Sequence, residues 1–189
     1  RDGADANAHN ILASAYLVQG EYDLAMEEVE TAIRLDPELA QAHLKKGLFN
    51  LATGKRQQGE QDLLNAVNAA PEVLNTRLLL AVYQIRQHNY PKAMQTLEEG
   101  LSISPDSAVI YNLMAAAQFG QNKPDEAVQS LQKAKALKPD YFTPYFNLAN
   151  YHVSRRDYQA ALGEYQAVLE IDPTHVPALL RSAALQELL

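Results

Sequence analysis

The chain has 189 residues, 47% hydrophobic and 21% charged, enough apolar material for a sizeable core and too little charge bias for a disordered segment. The absence of cysteine excludes disulfides and thiolate metal sites. A net charge of −7 argues against a nucleic-acid partner, whose phosphates need a basic surface. No apolar run approaches the ~20 residues that span a bilayer.

The opening, Arg1-Asp2-Gly3-Ala4-Asp5, contains no signal peptide. Residues 1–5 read as the tail of an earlier repeat, with Gly3 where a proline would fall, so the sequence is read as a piece of a longer protein. From there Pro37, Pro71, Pro105, Pro139 and Pro173 recur every 34 residues. A constant period of that length predicts a stack of supersecondary units over 6–39, 40–73, 74–107, 108–141 and 142–175, with one further helix over 176–189. In the first unit Leu12, Ala13 and Tyr16 form one helical stripe. Ala25, Val29, Ala32 and Ile33 form another, so each unit holds two helices. The breaks between them fall at Gln19-Gly20-Glu21, Gly54-Lys55, His88-Asn89, Gln121-Asn122 and Arg156-Asp157. The periodic prolines stop each second helix, and Pro91, Pro124, Pro144 and Pro177 fall at helix starts, where a missing N–H costs nothing. Small residues recur at position eight (Ala13, Gly47, Ala81, Ala115, Ala149, Ala183), position twenty (Ala25, Gly59, Ala93, Ala127, Ala161) and position twenty-seven (Ala32, Ala66, Gly100, Ala134, Val168). Larger apolar residues sit beside them at position seven (Leu12, Leu80, Met114, Leu148) and position twenty-four (Val29, Leu63, Leu97, Leu131, Tyr165). Large against small is how close helices interdigitate.

This pattern resembles the tetratricopeptide repeat, most fully in the fifth unit: Tyr145-Phe146-Asn147-Leu148-Ala149-Asn150, then Tyr158, Ala161, Tyr165 and Pro173. The resemblance covers essentially the whole chain and implies an all-α, right-handed α-solenoid forming one continuous domain. No unit has the tryptophan favoured at position four; His9, His43, Arg77, Tyr111, Tyr145 and Leu179 stand there. The second unit departs furthest, with Lys46 at position seven and Gly59 at position twenty, and is expected to be the least stable. A narrower resemblance, carried by Asp140-Tyr141-Phe142-Thr143-Pro144 and Ala167-Val168-Leu169-Glu170-Ile171-Asp172-Pro173, is to the lipoproteins accompanying bacterial exosortase (PEP-CTERM) and exopolysaccharide systems. It implies an envelope or periplasmic protein whose lipidated cysteine lies upstream.

The resemblance implies a non-enzymatic scaffold that binds a protein or peptide along a concave groove lined by the first helices. The candidate groove residues are Asn10, Ser14, Leu44, Leu48, Asn75, Leu78, Val82, Asn112, Asn147 and Asn150. Leu44, Leu48, Leu78 and Val82 read either as an apolar strip or as packing against the next repeat. Asn147 and Asn150 stand out, because an amide both donates to and accepts from the main chain of an extended peptide. The dicarboxylate clamp of chaperone-binding relatives needs Lys, Arg and Asn on three successive first helices; Asn10, Ser14, Leu48, Leu78 and Val82 stand in the equivalent places, so chaperone C-terminal tails are not expected to bind. No His-Glu-x-x-His, phosphate loop, paired carboxylate or nucleophile–base set is present, so neither metal nor cofactor is expected. Glu27, Glu28 and Glu30 are expected to splay into water. Between Ala6 and Leu39 there are seven acidic residues and one basic; this is a solvated face or a dock for a basic partner. The last helix ends Leu188-Leu189 with no polar helix behind it, so self-association through it is expected. The alternatives kept open are an envelope accessory module and the regulatory arm of a larger enzyme.

Overall fold

The computed structural model describes residues 2–187, with side chains from Asp5 onward. Its described residues form α1 (Asp2–Gln19), α2 (Tyr22–Leu35), α3 (Ala40–Ala52), α4 (Arg56–Ala69), α5 (Leu74–Arg86), α6 (Tyr90–Ile103), α7 (Ala108–Gly120), α8 (Pro124–Leu137), α9 (Thr143–Ser154), α10 (Tyr158–Ile171) and α11 (Val176–Gln186), with no strand among them. Arg1 and the Leu188-Leu189 end invoked above lie outside the described residues. Packing divides the chain into two compact units, one ending at Tyr83 and the next starting at Gln84, so the division falls inside α5.

Each first helix ends the same way. The residue at position fifteen has positive φ: Gly20 (82°), Gly54 (80°), His88 (58°), Asn122 (61°) and Arg156 (61°). The N–H of the next residue then reaches back to the carbonyl five residues earlier: Glu21 to Tyr16, Lys55 to Asn50, Asn89 to Gln84, Lys123 to Gln118 and Asp157 to His152, all at 2.8–3.0 Å. This is the Schellman closure, which satisfies the terminal carbonyls and reverses the chain. Second helices end instead at a residue with φ near −130 to −140°, such as Asp36, Ser104, Lys138 and Asp172, one residue before the periodic proline. Proline disfavours helical geometry in the residue before it.

In the first unit Ala13, Val29, Ala32 and Ala42 form one buried cluster. A second joins Leu63 and Val67 of α4 to Leu80 and Tyr83 of α5, with Leu44 and Leu51 of α3 packed on it. In the second unit Leu148 of α9 enters a cluster with Ala115, Ala127 and Leu131. Tyr145, Ala149, Ala161, Tyr165, Val168, Ala178 and Leu185 then link α9, α10 and α11. Leu148 thus enters the small-residue slots of the adjacent pair, whereas α4 and α5 meet through large residues on both sides. Each fully buried leucine contributes about 1.5–3 kcal/mol of transfer free energy.

Buried polar side chains also join the two helices of a pair. Asn50 donates to the Asp62 carboxylate at 2.7 Å, Thr96 to the Gln84 amide oxygen at 2.9 Å, and Ser130 to that of Gln118 at 2.7 Å, always across 12 residues. These bonds connect positions eleven and twenty-three. Position eleven therefore closes its own helix with its carbonyl and clamps the second helix with its side chain.

Four expectations need correction. Gly3 is not at a turn: α1 runs continuously from Asp2, because glycine, unlike proline, keeps its N–H and leaves the helix unbroken. Leu12 is 40% exposed rather than packed; position seven is buried by the preceding pair, and no described helix precedes α1. Ala183 is likewise exposed, since no described helix follows α11. Gly59 fills its small-residue slot as the pattern expects. A Cβ there would lie 2.5 Å from Leu51 Cδ2 and 3.0 Å from the Gly47 carbonyl, so glycine is what lets α3 and α4 approach. Glu28 does not splay into water: it is partly buried, with its carboxylate against the His9 ring. Lys46 is half-buried and keeps its ammonium 3.4 Å from Glu30 Oε1.

Candidate functional site

In the second unit α7 and α9 lie side by side over Leu131 of α8, and a hollow of about 330 Å³ opens between them. Its lining is Ala115, Ala116, Phe119, Leu131, Asn147, Asn150, Tyr151 and Ser154. The Phe119 and Tyr151 rings form an aromatic wall, with centroids 5.3 Å apart and planes tilted 36°. Ala115 and Ala116 add little bulk to the lining. The guanidinium of Arg155 lies 5.7 Å from the Tyr151 ring centroid, and its Nη1 donates to the phenolic oxygen at 3.4 Å. A cavity with apolar walls and a few polar groups at its rim suits one large side chain of an extended segment.

The two favoured asparagines both lie here, but they are not equivalent. Asn147 donates its amide to Asn112 Oδ1 at 2.8 Å, and Asn112 is buried. Asn147 is therefore partly committed to joining α7 and α9. Asn150 is exposed, which leaves its amide facing the hollow's mouth. Phe119 and Tyr151 were not singled out from sequence. Phe119 lies near the end of α7, a first helix, and its ring was the available signal.

The corresponding connection in the first unit is also internal. Asn10 is only 2% exposed; it donates to Gln41 Oε1 at 3.1 Å and accepts from Lys45 Nζ at 2.6 Å. Ser14 donates to the Asn10 carbonyl at 3.2 Å. Burial lowers the Lys45 pKa from its ordinary value. Asn10 and Asn112 are thus spent on packing and do not form an open wall. Leu44 packs on the α4–α5 cluster, Leu78 and Val82 are half-buried, and Leu48 and Asn75 are exposed. The acidic first repeat borders a wider, polar hollow lined in part by Asp23, Glu27, Glu30 and Asp62, with Lys46 and Lys55 among them.

The histidines serve the framework. His43 Nε2 donates to the Pro37 carbonyl at 2.8 Å, and His175 Nδ1 accepts the Ala178 N–H at 3.2 Å, capping α11. Among the described residues no three metal-ligating side chains converge, and no helix is long and apolar enough to cross a membrane.

Paired helices with a repeated small-residue seam, a repeated Schellman turn and an open first-helix face define a helical-repeat scaffold for protein interaction. Tetratricopeptide-repeat family models match residues 6–39 and 112–176, and the chain belongs to that family, whose fold is generally a non-catalytic interaction module. Solved structures share the fold. pilF of Pseudomonas aeruginosa aligns with a TM-score of 0.76 at 17% identity, over 99% of this chain and 85% of its own. MamA from Desulfovibrio magneticus RS-1 aligns at 0.75 and 18%, over 93% and 99%. YrrB, described as a TPR protein with an unusual peptide-binding site, aligns at 0.67 and 16%, over 93% and 90%. No curated protein matches the chain.

Proposed function

We propose that the chain binds an extended protein segment on its first-helix face, with the hollow between α7 and α9 as the anchoring point. The observation that carries this is the coincidence of an apolar, aromatic-walled cavity with an exposed amide, Asn150, at its rim. The cavity removes a large side chain from water, and the amide bonds the passing main chain whatever its sequence. Of the ten candidate groove residues, Asn147 and Asn150 belong to this anchor. Leu48, Asn75, Leu78 and Val82 belong to the first-helix face of the other unit. The envelope-accessory and regulatory-arm readings rest on sequence resemblance alone.

The test is capture of partners from the host lysate by the wild type, Ala116→Phe and Asn150→Ala. Ala116 is exposed and lines the hollow, so phenylalanine fills the cavity without entering the core. A partner lost in Ala116→Phe and weakened in Asn150→Ala, with helicity unchanged, supports the reading. A partner retained by both variants refutes it. Asn147→Ala is a poorer probe, because it also strips the buried Asn112 of its donor.

A further inference from the structure

The chain's negative charge is not spread evenly over its helices. Asp23, Glu27, Glu28 and Glu30 lie on α2, Glu60 and Asp62 on α4, Glu98 and Glu99 on α6, Asp125 and Glu126 on α8, and Glu164 and Glu170 on α10. The first helices α3, α5, α7, α9 and α11 carry no aspartate or glutamate. In an acidic protein this segregation leaves the first helices of the second unit free of carboxylates within their bounds, the nearest being Glu187 at the C-terminal cap of α11. Arg155 ends α9 beside the Tyr151 ring. Arg181 of α11 holds the same repeat position as Asn147, and its guanidinium lies 5.8 Å from the Phe146 ring centroid. Asp157, close to Arg155 in sequence, is already engaged: its carboxylate accepts the Ala160 N–H at 3.2 Å, capping α10, and lies 3.8 Å from His152 Nδ1.

We propose that the segment held at the α7–α9 hollow is acidic, with an aromatic side chain seated against Phe119 and Tyr151 and flanking carboxylates facing Arg155 and Arg181. This rests on the hollow being the anchor. The chemistry is complementary at each point. An aromatic ring packs against the tilted pair in offset or edge geometry. Arg155 donates one N–H to the Tyr151 phenolic oxygen, and the five-donor fork of a guanidinium leaves further N–H groups on each arginine for carboxylates. A basic segment meets the two arginines with like charge and gains no acidic contact from the first helices.

The experiment is fluorescence anisotropy with labelled peptides of one length: Asp-Glu-Phe-Asp-Glu, Ser-Gly-Phe-Ser-Gly and Lys-Arg-Phe-Lys-Arg. The acidic peptide should bind about threefold to tenfold more tightly than the neutral one, the range expected for exposed ion pairs. That advantage should vanish in Arg155→Gln/Arg181→Gln, and in about 1 M salt, where the screening length is about 3 Å. Neutral-peptide binding should survive both changes. Ala116→Phe should abolish binding of every probe. Equal or tighter binding of the basic peptide overturns the acidic assignment while leaving the hollow as anchor. Failure of all probes to bind, or binding unaffected by Ala116→Phe, overturns the anchor and the acidic assignment with it.

Discussion

Position fifteen offers a substitution series with opposite expected signs. All five turns share the same backbone closure, yet two carry glycine and three carry His88, Asn122 or Arg156 in the left-handed region. A Cβ built on Gly54 meets nothing within 4 Å, so the penalty of Gly54→Ala is purely that of the backbone. A left-handed L-residue costs about 1–2 kcal/mol. Reduced freedom of the unfolded chain returns about 0.4–1 kcal/mol. The net expectation is a loss of about 1 kcal/mol for Gly54→Ala and a gain of about 0.5–1 kcal/mol for Arg156→Gly. Asn122→Gly should change little, because asparagine tolerates this conformation. Urea unfolding followed by circular dichroism reads the midpoints, and an unchanged slope shows that the same surface is exposed. Destabilisation by Arg156→Gly with an unchanged slope would refute the backbone argument and assign the Arg156 side chain a stabilising contact.

Ser130→Ala should cost about 1–3 kcal/mol, because it leaves the buried Gln118 amide oxygen without its donor. Ser130→Ala/Gln118→Leu should recover part of that loss in a double-mutant cycle. Glycine-to-alanine changes should also divide by site. Gly163→Ala, in the middle of α10 with open space around it, should stabilise by about 0.5–1 kcal/mol. Gly59→Ala gains the same propensity but forces Leu51 aside, a strain of about 1–3 kcal/mol, and should destabilise. Burial raises the pKa of both Tyr83 and Tyr145, with Glu60 and Glu164 respectively adding to the rise and Arg56 opposing it at Tyr83. The folded values lie above the unfolded ones, so their contribution is full below the ordinary tyrosine pKa and lost as pH rises through the raised values. Tyr83→Phe/Tyr145→Phe should accordingly flatten the alkaline limb of a stability-versus-pH curve. The Asp172 carboxyl is held below its ordinary pKa by hydrogen bonds from the Thr174 hydroxyl and N–H. Thr174→Ala should raise it, as read by NMR titration.

The repeat architecture was legible because it depends on residues with one physical meaning. A proline every 34 residues ends a helix wherever it stands, and an alanine seam marks close approach. The polar bonds between positions eleven and twenty-three were not legible, because their chemistry changes from unit to unit. Asn50 with Asp62, Gln84 with Thr96 and Gln118 with Ser130 share polarity and geometry but no residue pattern. Gly59 was legible as a small-residue slot, but the Leu51 side chain that makes glycine, not alanine, necessary there was not. The exposure of Leu12 and Ala183 depends on which neighbours cover α1 and α11, which a repeat pattern assigns identically to every unit. For the candidate site, Asn147 and Asn150 were found because they belong to the best-matching unit. Burial of Asn10 and Asn112 followed from side-chain pairing about one repeat apart, invisible until the helices are placed.

The most direct test of the anchoring hollow is a two-dimensional amide NMR titration of the full chain with the neutral Ser-Gly-Phe-Ser-Gly peptide. The hollow predicts peptide-dependent shifts concentrated at residues 115–119 of α7 and 147–154 of α9, and absent in Ala116→Phe. Shifts confined to α2, α3 and α4 around the acidic hollow of the first unit, with the α7 and α9 amides unmoved, would contradict it.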